Sequence, residues 1–151
     1  MKYTGTSDGI AKGKRRGTEA FVRHARLLSK GNLWNNGTFG VRPIKGKPQY
    51  LSVHSTGRAM DLSWRGKSRA EANKFIEMVV ANADALGVEM VLDYFPKPFG
   101  RGYKCTRGRW ARYTKKTLGG APLGDWYHLE LSPEFADNPK KVHQAFKALF
   151  Q

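Results

Sequence analysis

An imidazole and a carboxylate, set across a short Ser-Thr-Gly break, constrain this chain more than anything else in it. The stretch runs Ser52-Val53-His54-Ser55-Thr56-Gly57-Arg58-Ala59-Met60-Asp61-Leu62-Ser63-Trp64. Tyr50, Ser52 and His54 alternate with Leu51 and Val53, a period of two that predicts a strand. Ser55-Thr56-Gly57 is turn chemistry, with Gly57 free to take a positive φ. Ala59, Asp61 and Ser63 then alternate with Met60 and Leu62. Folded as a hairpin or tight bend, the segment brings His54 and Asp61 to one side, close enough to share a ligand. Imidazole nitrogen and carboxylate oxygen both bind zinc well. A pair does not hold a catalytic metal, so a third ligand must come from elsewhere.

His128, in Gly124-Asp125-Trp126-Tyr127-His128-Leu129-Glu130-Leu131, is the candidate. Catalytic zinc usually has three protein ligands and an open position, and His54, Asp61 and His128 satisfy that count. The metal lowers the pKa of water to roughly 7, and a nearby carboxylate can take its proton. Asp125, shortly before His128, is placed for that role. The segment reads as a turn into a strand, with Trp126, His128 and Glu130 on one face and Tyr127, Leu129 and Leu131 on the other. Glu130 is thus open to two readings, a carboxylate that orients a ligand from behind or a partner in a cross-strand salt bridge.

The two motifs together resemble those of the zinc D-Ala-D-Ala carboxypeptidases and L-alanyl-D-glutamate endopeptidases, which cut the peptide stems of bacterial peptidoglycan. Many phage endolysins belong to that family. The resemblance rests on Ser52, His54, Gly57, Ala59, Asp61 and Leu62, then on Asp125, Trp126 and His128. It implies an α+β fold, a small antiparallel sheet with helices packed on it, of the zinc D,D-peptidase or hedgehog-like type. It also implies Zn²⁺ held by His54, Asp61 and His128, with Asp125 as general base. Many members carry Glu where this chain has Asp125, and the shorter acid leans toward the endolysin endopeptidases. The favoured bond is therefore L-Ala–D-Glu, with D-Ala–D-Ala next. Zinc peptidases also need a positive group for the developing oxyanion. Relatives supply an arginine upstream of the first motif, and Arg42 matches by position, with Arg58 as its rival and a plain surface role as the alternative. Ser52 reads either as a hydrogen-bonding neighbour of the site or as a strand hydroxyl.

The chain has 151 residues, 40% hydrophobic and 12% aromatic, enough for one globular core. A single cysteine, Cys105, excludes an internal disulfide and a Cys-rich structural zinc site. It reads as a buried or neutral thiol. No apolar h-region of about 7–15 residues follows Met1, so the expectation is a protein made without a secretory signal, in the host cytoplasm if viral, acting at the wall after release. The net charge of +15 implies an anionic partner. Nucleic acid, wall polymers such as teichoic acids, peptidoglycan carboxylates and anionic membranes all qualify. Wall attachment by charge is expected to stand in for a separate wall-binding domain, and the protein is expected to act as a monomer.

Along the chain, residues 1–16 read as an extended basic arm with Lys12, Lys14, Arg15 and Arg16 solvated, and residues 17–151 as the catalytic domain. Thr18 is placed to cap a helix from Glu19 to about Lys30, in which His24 is a surface or boundary residue. Asn35-Asn36-Gly37 predicts a turn, and Val41 to Ile44 a short extended piece. Ser68 and Glu71 form a capping box for a helix to Leu86, ended by Gly87, and Glu89 to Tyr94 follows as a strand. Residues 97–116 carry eight basic residues interleaved with Phe99, Tyr103, Trp110 and Tyr113. They read either as an insertion lining the substrate cleft or as a nucleic-acid-binding segment whose rings stack bases. A closing helix from Pro139 to Phe150, capped by Asp137 or Asn138, is expected to bury Val142, Phe146, Leu149 and Phe150, with His143 on the surface. Three function classes follow: a wall peptidase, a nucleic-acid-binding module, and a related fold that binds zinc or wall without hydrolysis.

Overall fold

The computed structural model describes residues 1–151. After α1 (Arg16–Leu28) the chain forms β1 (Trp34–Gly37), β2 (Pro43–Ile44), β3 (Lys47–Leu51) and β4 (Ala59–Ser63). Then come α2 (Arg69–Ala81), α3 (Ala83–Leu86), β5 (Val88–Asp93), β6 (Arg101–Lys104) and β7 (Arg109–Arg112). β8 (Trp126–Leu131), α4 (Pro133–Asp137) and α5 (Pro139–Leu149) close it. Six strands make one antiparallel sheet in the order β1-β4-β8-β5-β6-β7, while β2 and β3 pair apart from it as a hairpin. The class is α+β. No helix is long and apolar enough to cross a membrane.

Two-faced strands place the site. On β8, Tyr127, Leu129 and Leu131 are fully buried against the helices, while Trp126, His128 and Glu130 face the opposite side. Met60 and Leu62 of β4 and Val91 of β5 join the same core, leaving Asp61, Met90 and Leu92 on the far face. Phe21 of α1 meets Phe146 of α5 edge-on at 5.0 Å between ring centres. Burying such a side chain contributes about 1.5–3 kcal/mol, so the helices hold one face of the sheet shut and leave the other for chemistry.

Several local expectations give way to longer-range contacts. α1 begins at Arg16, and Thr18 does not cap it; its buried hydroxyl donates to the Gly57 carbonyl at 2.7 Å. The Asn35-Asn36-Gly37 turn is instead a kinked strand. Asn35 Oδ1 accepts from Gly37 N at 2.9 Å, and the register against β4 shifts there. Ser68 Oγ does accept from Glu71 N, but the predicted helix breaks at Asn82, whose side-chain amide donates to the Met78 carbonyl at 2.8 Å. Gly87 ends α3 at φ 66°. Asn138 caps α5 through Lys141 N, and Phe150, past the end of the helix, is 62% exposed rather than buried.

Lys12, Lys14 and Arg16 of the basic arm are exposed as expected, but Arg15 is not. Arg15 pairs with Asp8 and with Asp137 at 2.7 Å, leaving only 14% of its side chain exposed. Tyr3 donates to Glu130 at 2.8 Å, and both the backbone and the hydroxyl of Thr4 donate to Glu89, which is fully buried. Arg58, also fully buried, bonds Asp8, the Gly5 carbonyl and the Leu131 carbonyl, and lies 3.6 Å from Glu89. A buried charge needs such partners, and here the first residues of the chain supply several of them.

Candidate metal centre

β4 and β8 pair so that Asp61 stands directly opposite His128, on the face away from the helices. Neighbouring side chains of an antiparallel pair have their Cβ atoms roughly 4.5–5.5 Å apart, and His128 Nδ1 lies 3.0 Å from Asp61 Oδ1. His54 arrives differently from the expected strand. It sits in a 3-10 turn, Val53–Thr56, capped by Ser52, whose hydroxyl accepts from His54 N at 3.3 Å. Gly57 closes the turn at φ 73°, a left-handed conformation that favours glycine. Local capping thus overrides the alternation of Tyr50 to His54, and β3 ends at Leu51 in the exposed hairpin. The turn carries His54 Nε2 to 3.1 Å from Asp61 Oδ2. The two imidazoles meet edge-on, 5.0 Å between centres.

His54, Asp61 and His128 form a group able to hold a metal ion, with one ligand atom from each lying within 4.8 Å of the others. The hydrogen bonds behind the rings decide which nitrogen faces inward. His54 Nδ1 lies 3.2 Å from the Thr38 carbonyl, which can only accept, so the proton sits there and the Nε2 lone pair points into the group. That Nε2 is buried, and although it is within ion-pair distance of Asp61 it has no hydrogen-bond partner. A buried polar atom of this kind is rare without a reason, and a cation at this place would satisfy it. On the other ring, His128 Nε2 lies 2.9 Å from Glu130 Oε1. A neutral ring with its proton on Nε2 would present an Nδ1 lone pair to a cation held in the group; otherwise Nδ1–H donates to Asp61 Oδ1 at 3.0 Å. Glu130 is the carboxylate behind the His128 ring, and Tyr3 donates to its second oxygen.

The charges match a cation site. Burial alone would raise the Asp61 carboxyl, but the hydrogen bond from His128 and the adjacent His54 imidazole outweigh it and hold the group ionised. Burial alone would lower the His128 imidazole; hydrogen bonds to Asp61 and Glu130 reverse that and push it up to about 10. Glu130 is likewise held below the usual carboxylate range, against its burial, chiefly by His128. Asp61 and Glu130 thus favour positive charge at this place, which the His128 imidazole carries when protonated and which a cation would carry on displacing that proton.

The group lies on the floor of a cleft of about 690 Å³. One wall is the β2–β3 hairpin with Arg42, Lys45 and Lys47; the other is apolar and aromatic, with Met90, Leu92, Tyr94, Tyr113, Leu118 and Trp126. Tyr94 and Trp126 stack at 4.2 Å. A Cβ at Gly119 would come within 3.3 Å of Lys45 Cδ, so the hairpin reaches across to the loop before β8.

Arg42 lines the cleft with 51% of its side chain exposed and its guanidinium 3.8 Å from Asp61. Arg58, the other arginine considered for the oxyanion, is buried in the arm network. Ser52 lines the cleft, but its hydroxyl caps the turn. Asp125 is exposed at the entrance to β8 and is not among the cleft-lining residues. Its carbonyl accepts from Ser63 Oγ at 2.8 Å and from Trp64 N at 3.1 Å, which fixes the backbone from which the carboxylate projects.

The 97–116 segment folds as the β6–β7 hairpin against the body. Arg101 bonds the buried Asp93 at 2.9 Å and Glu77, Trp110 Nε1 donates to Glu77 at 2.9 Å, and Arg107 and Arg112 bond carbonyls. Tyr113 reaches the cleft. Burial raises the Cys105 thiol, which favours its neutral form. Tyr3 and Thr38 were not visible as site residues in the sequence; both meet the site only through distant pairings. Comparison with models of known protein families, with curated proteins and with solved structures finds no match.

Proposed function

We propose that the protein is a zinc-dependent peptidase that hydrolyses an amide in the peptide stem of bacterial peptidoglycan, the L-Ala–D-Glu bond first and D-Ala–D-Ala next. The observation that carries this reading is the buried, unpartnered Nε2 of His54 aimed at Asp61 and His128 on the floor of an open cleft. His54, Asp61 and His128 would hold Zn²⁺ as two nitrogens and one oxygen, a donor set typical of catalytic zinc. Zinc in such a site supplies a Lewis acid and acidifies water toward a pKa of about 7. A motif resemblance to the zinc D,D-peptidases points to the same set.

The chain's own groups divide the remaining work. Arg42 projects from the hairpin into the cleft and can donate to the amide oxygen as negative charge grows on it. Asp125 is the proton acceptor. Glu130 is unsuited to that task, since one of its oxygens is engaged by His128 and the other by Tyr3. Asp125 is exposed on the loop entering β8, so its role requires the side chain to turn toward the cleft when substrate seats. Catalytic hydrogen bonds often tighten only with substrate in place. Lys45 and Lys47 favour a substrate bearing carboxylates, and the aromatic wall favours its apolar side chains.

The use in lysis, at the wall of a bacterial host and with an anionic polymer as anchor, follows from the same reading. Zinc-loaded protein should release amino groups from purified sacculi, and mass spectrometry of the fragments should locate the cut. Zinc-loaded protein that leaves sacculi and soluble stem peptides intact would overturn the proposal.

A further inference from the structure

We infer that Tyr3 is a positioning residue for the candidate metal centre, acting through Glu130 on His128. The inference rests on the metal reading above and extends it to the arm. Three hydrogen-bonded contacts form one line. Tyr3 Oη donates to Glu130 Oε2 at 2.8 Å, Glu130 Oε1 lies 2.9 Å from His128 Nε2, and His128 Nδ1 lies 3.0 Å from Asp61 Oδ1. Glu130 exposes only 6% of its side chain and His128 11%, so water cannot readily replace a lost partner.

The geometry gives Tyr3 a task that packing alone does not. To bind a metal through Nδ1, His128 must keep its one ring proton on Nε2, and Glu130 is the acceptor placed to hold it there. A carboxylate with one free oxygen can rotate about its terminal torsion, which is broad and soft. Tyr3 removes that freedom by occupying Oε2. Burial and the adjacent Glu130 push the Tyr3 phenol above its ordinary value, which favours its protonated, donating form. Partners behind a metal ligand commonly change metal affinity by about 10–100-fold when removed.

The docked arm fixes the position of this hydroxyl. Thr4 is fixed on buried Glu89 through both its backbone N–H and its hydroxyl, and the Gly5 carbonyl is held by buried Arg58. The Tyr3 ring itself lies beneath Lys104, whose Nζ is 4.1 Å from its centre. None of these anchors uses the Tyr3 hydroxyl. Tyr3→Phe therefore removes the donor and leaves the ring, the backbone and the docked arm in place.

The experiment measures zinc affinity of the full chain by competition with a chromophoric chelator, for wild type, Tyr3→Phe, Glu130→Gln and the double variant. The thermal midpoint of each zinc-free protein is recorded beside it. Tyr3→Phe should weaken zinc binding about tenfold with little change in the zinc-free midpoint. Added to Glu130→Gln it should weaken binding no further, because the two act in series. Affinity of Tyr3→Phe within twofold of wild type, or losses that multiply in the double variant, would overturn the inference. A wild-type protein that binds no zinc would overturn the metal reading itself, and this inference with it, so the two failures are told apart by the wild-type measurement.

Discussion

Asp61 and His128 face one another across two adjacent antiparallel strands, Oδ1 to Nδ1 at 3.0 Å, although most of the chain's second half lies between them in sequence. Register does this work. Because side chains alternate along a strand, a slip of one residue would send one partner into the core and leave the other in the cleft. The apolar residues flanking them, Leu62 beside Asp61 and Leu129 beside His128, are fully buried and pin that register. The core therefore sets the geometry of the Asp61–His128 pair.

The proposed metal ligands should be separable from the rest of the cleft by mutation. His54→Ala and His128→Ala should each abolish stoichiometric zinc binding and peptidase activity. Wild type should unfold at a higher temperature with zinc than without it, since a ligand held only by the folded state stabilises it, by about 2.7 kcal/mol at 100 times its Kd. Metal analysis and calorimetry check both. Full zinc occupancy in either variant would remove that histidine from the site.

Charge should act in capture more than in chemistry. With a net charge of +15, activity on intact walls should fall steeply as salt rises, whereas cleavage of a short soluble stem peptide should change little. Equal salt sensitivity on both substrates would rule out long-range capture.

The cationic wall of the cleft should discriminate at shorter range. Lys45→Ala with Lys47→Ala should raise KM for a stem peptide with free carboxylates about threefold to tenfold, the scale of two exposed ion pairs. The turnover number should hold, and a peptide with amidated carboxylates should lose the difference between wild type and variant. An equal KM change on both peptides would argue against carboxylate recognition.

Acid should loosen the arm. Asp8 and Asp137 are both held below the ordinary carboxylate value of 3.8. For Asp137 the leading cause is its hydrogen bond to Arg15; for Asp8 burial works the other way and the bonds from Arg15 and Arg58 prevail. Since the folded values lie below the unfolded one, this stabilisation is complete above about pH 4 and is lost as pH falls through the depressed values. Asp137→Asn should cost under about 1 kcal/mol at neutral pH, because its side chain is largely exposed. It should also shrink the stability lost on acidification, measured by denaturant unfolding. An unchanged acid limb would dismiss Asp137 from that role.

Much of this was legible from local pattern. The alternation of Trp126 to Leu131 separates core from cleft residue by residue, and the helical stripe of Ala72, Phe75, Ile76 and Val79 is the buried face of α2. Residues whose role depends on a remote partner were not legible. Arg58 and Arg15 look like surface charge until Asp8, Glu89 and Asp137 are placed around them. Tyr3 carries no periodicity that would bring it to Glu130. His54 was assigned to the site but to the wrong element, because alternation from Tyr50 competes with a serine cap that only geometry resolves.

Asp125 gives the sharpest test, because the structure holds its backbone firmly and leaves its carboxylate exposed outside the cleft lining. If it is the proton acceptor, Asp125→Asn should lower turnover by about 10²–10⁴-fold, the usual contribution of a general base. Zinc affinity should stay as in wild type, since Asp125 is outside the ligand group. The amide has nearly the same shape and the backbone contacts to Ser63 and Trp64 persist, so the thermal midpoint should hardly move. Asp125→Glu has the longer reach and, if the loop has slack, should restore much of the rate lost in the Asn variant. Glu130→Gln should behave differently, losing zinc affinity and with it turnover at limiting zinc. Release of zinc by Asp125→Asn would place Asp125 among the ligands. Wild-type turnover in that variant would remove it from catalysis.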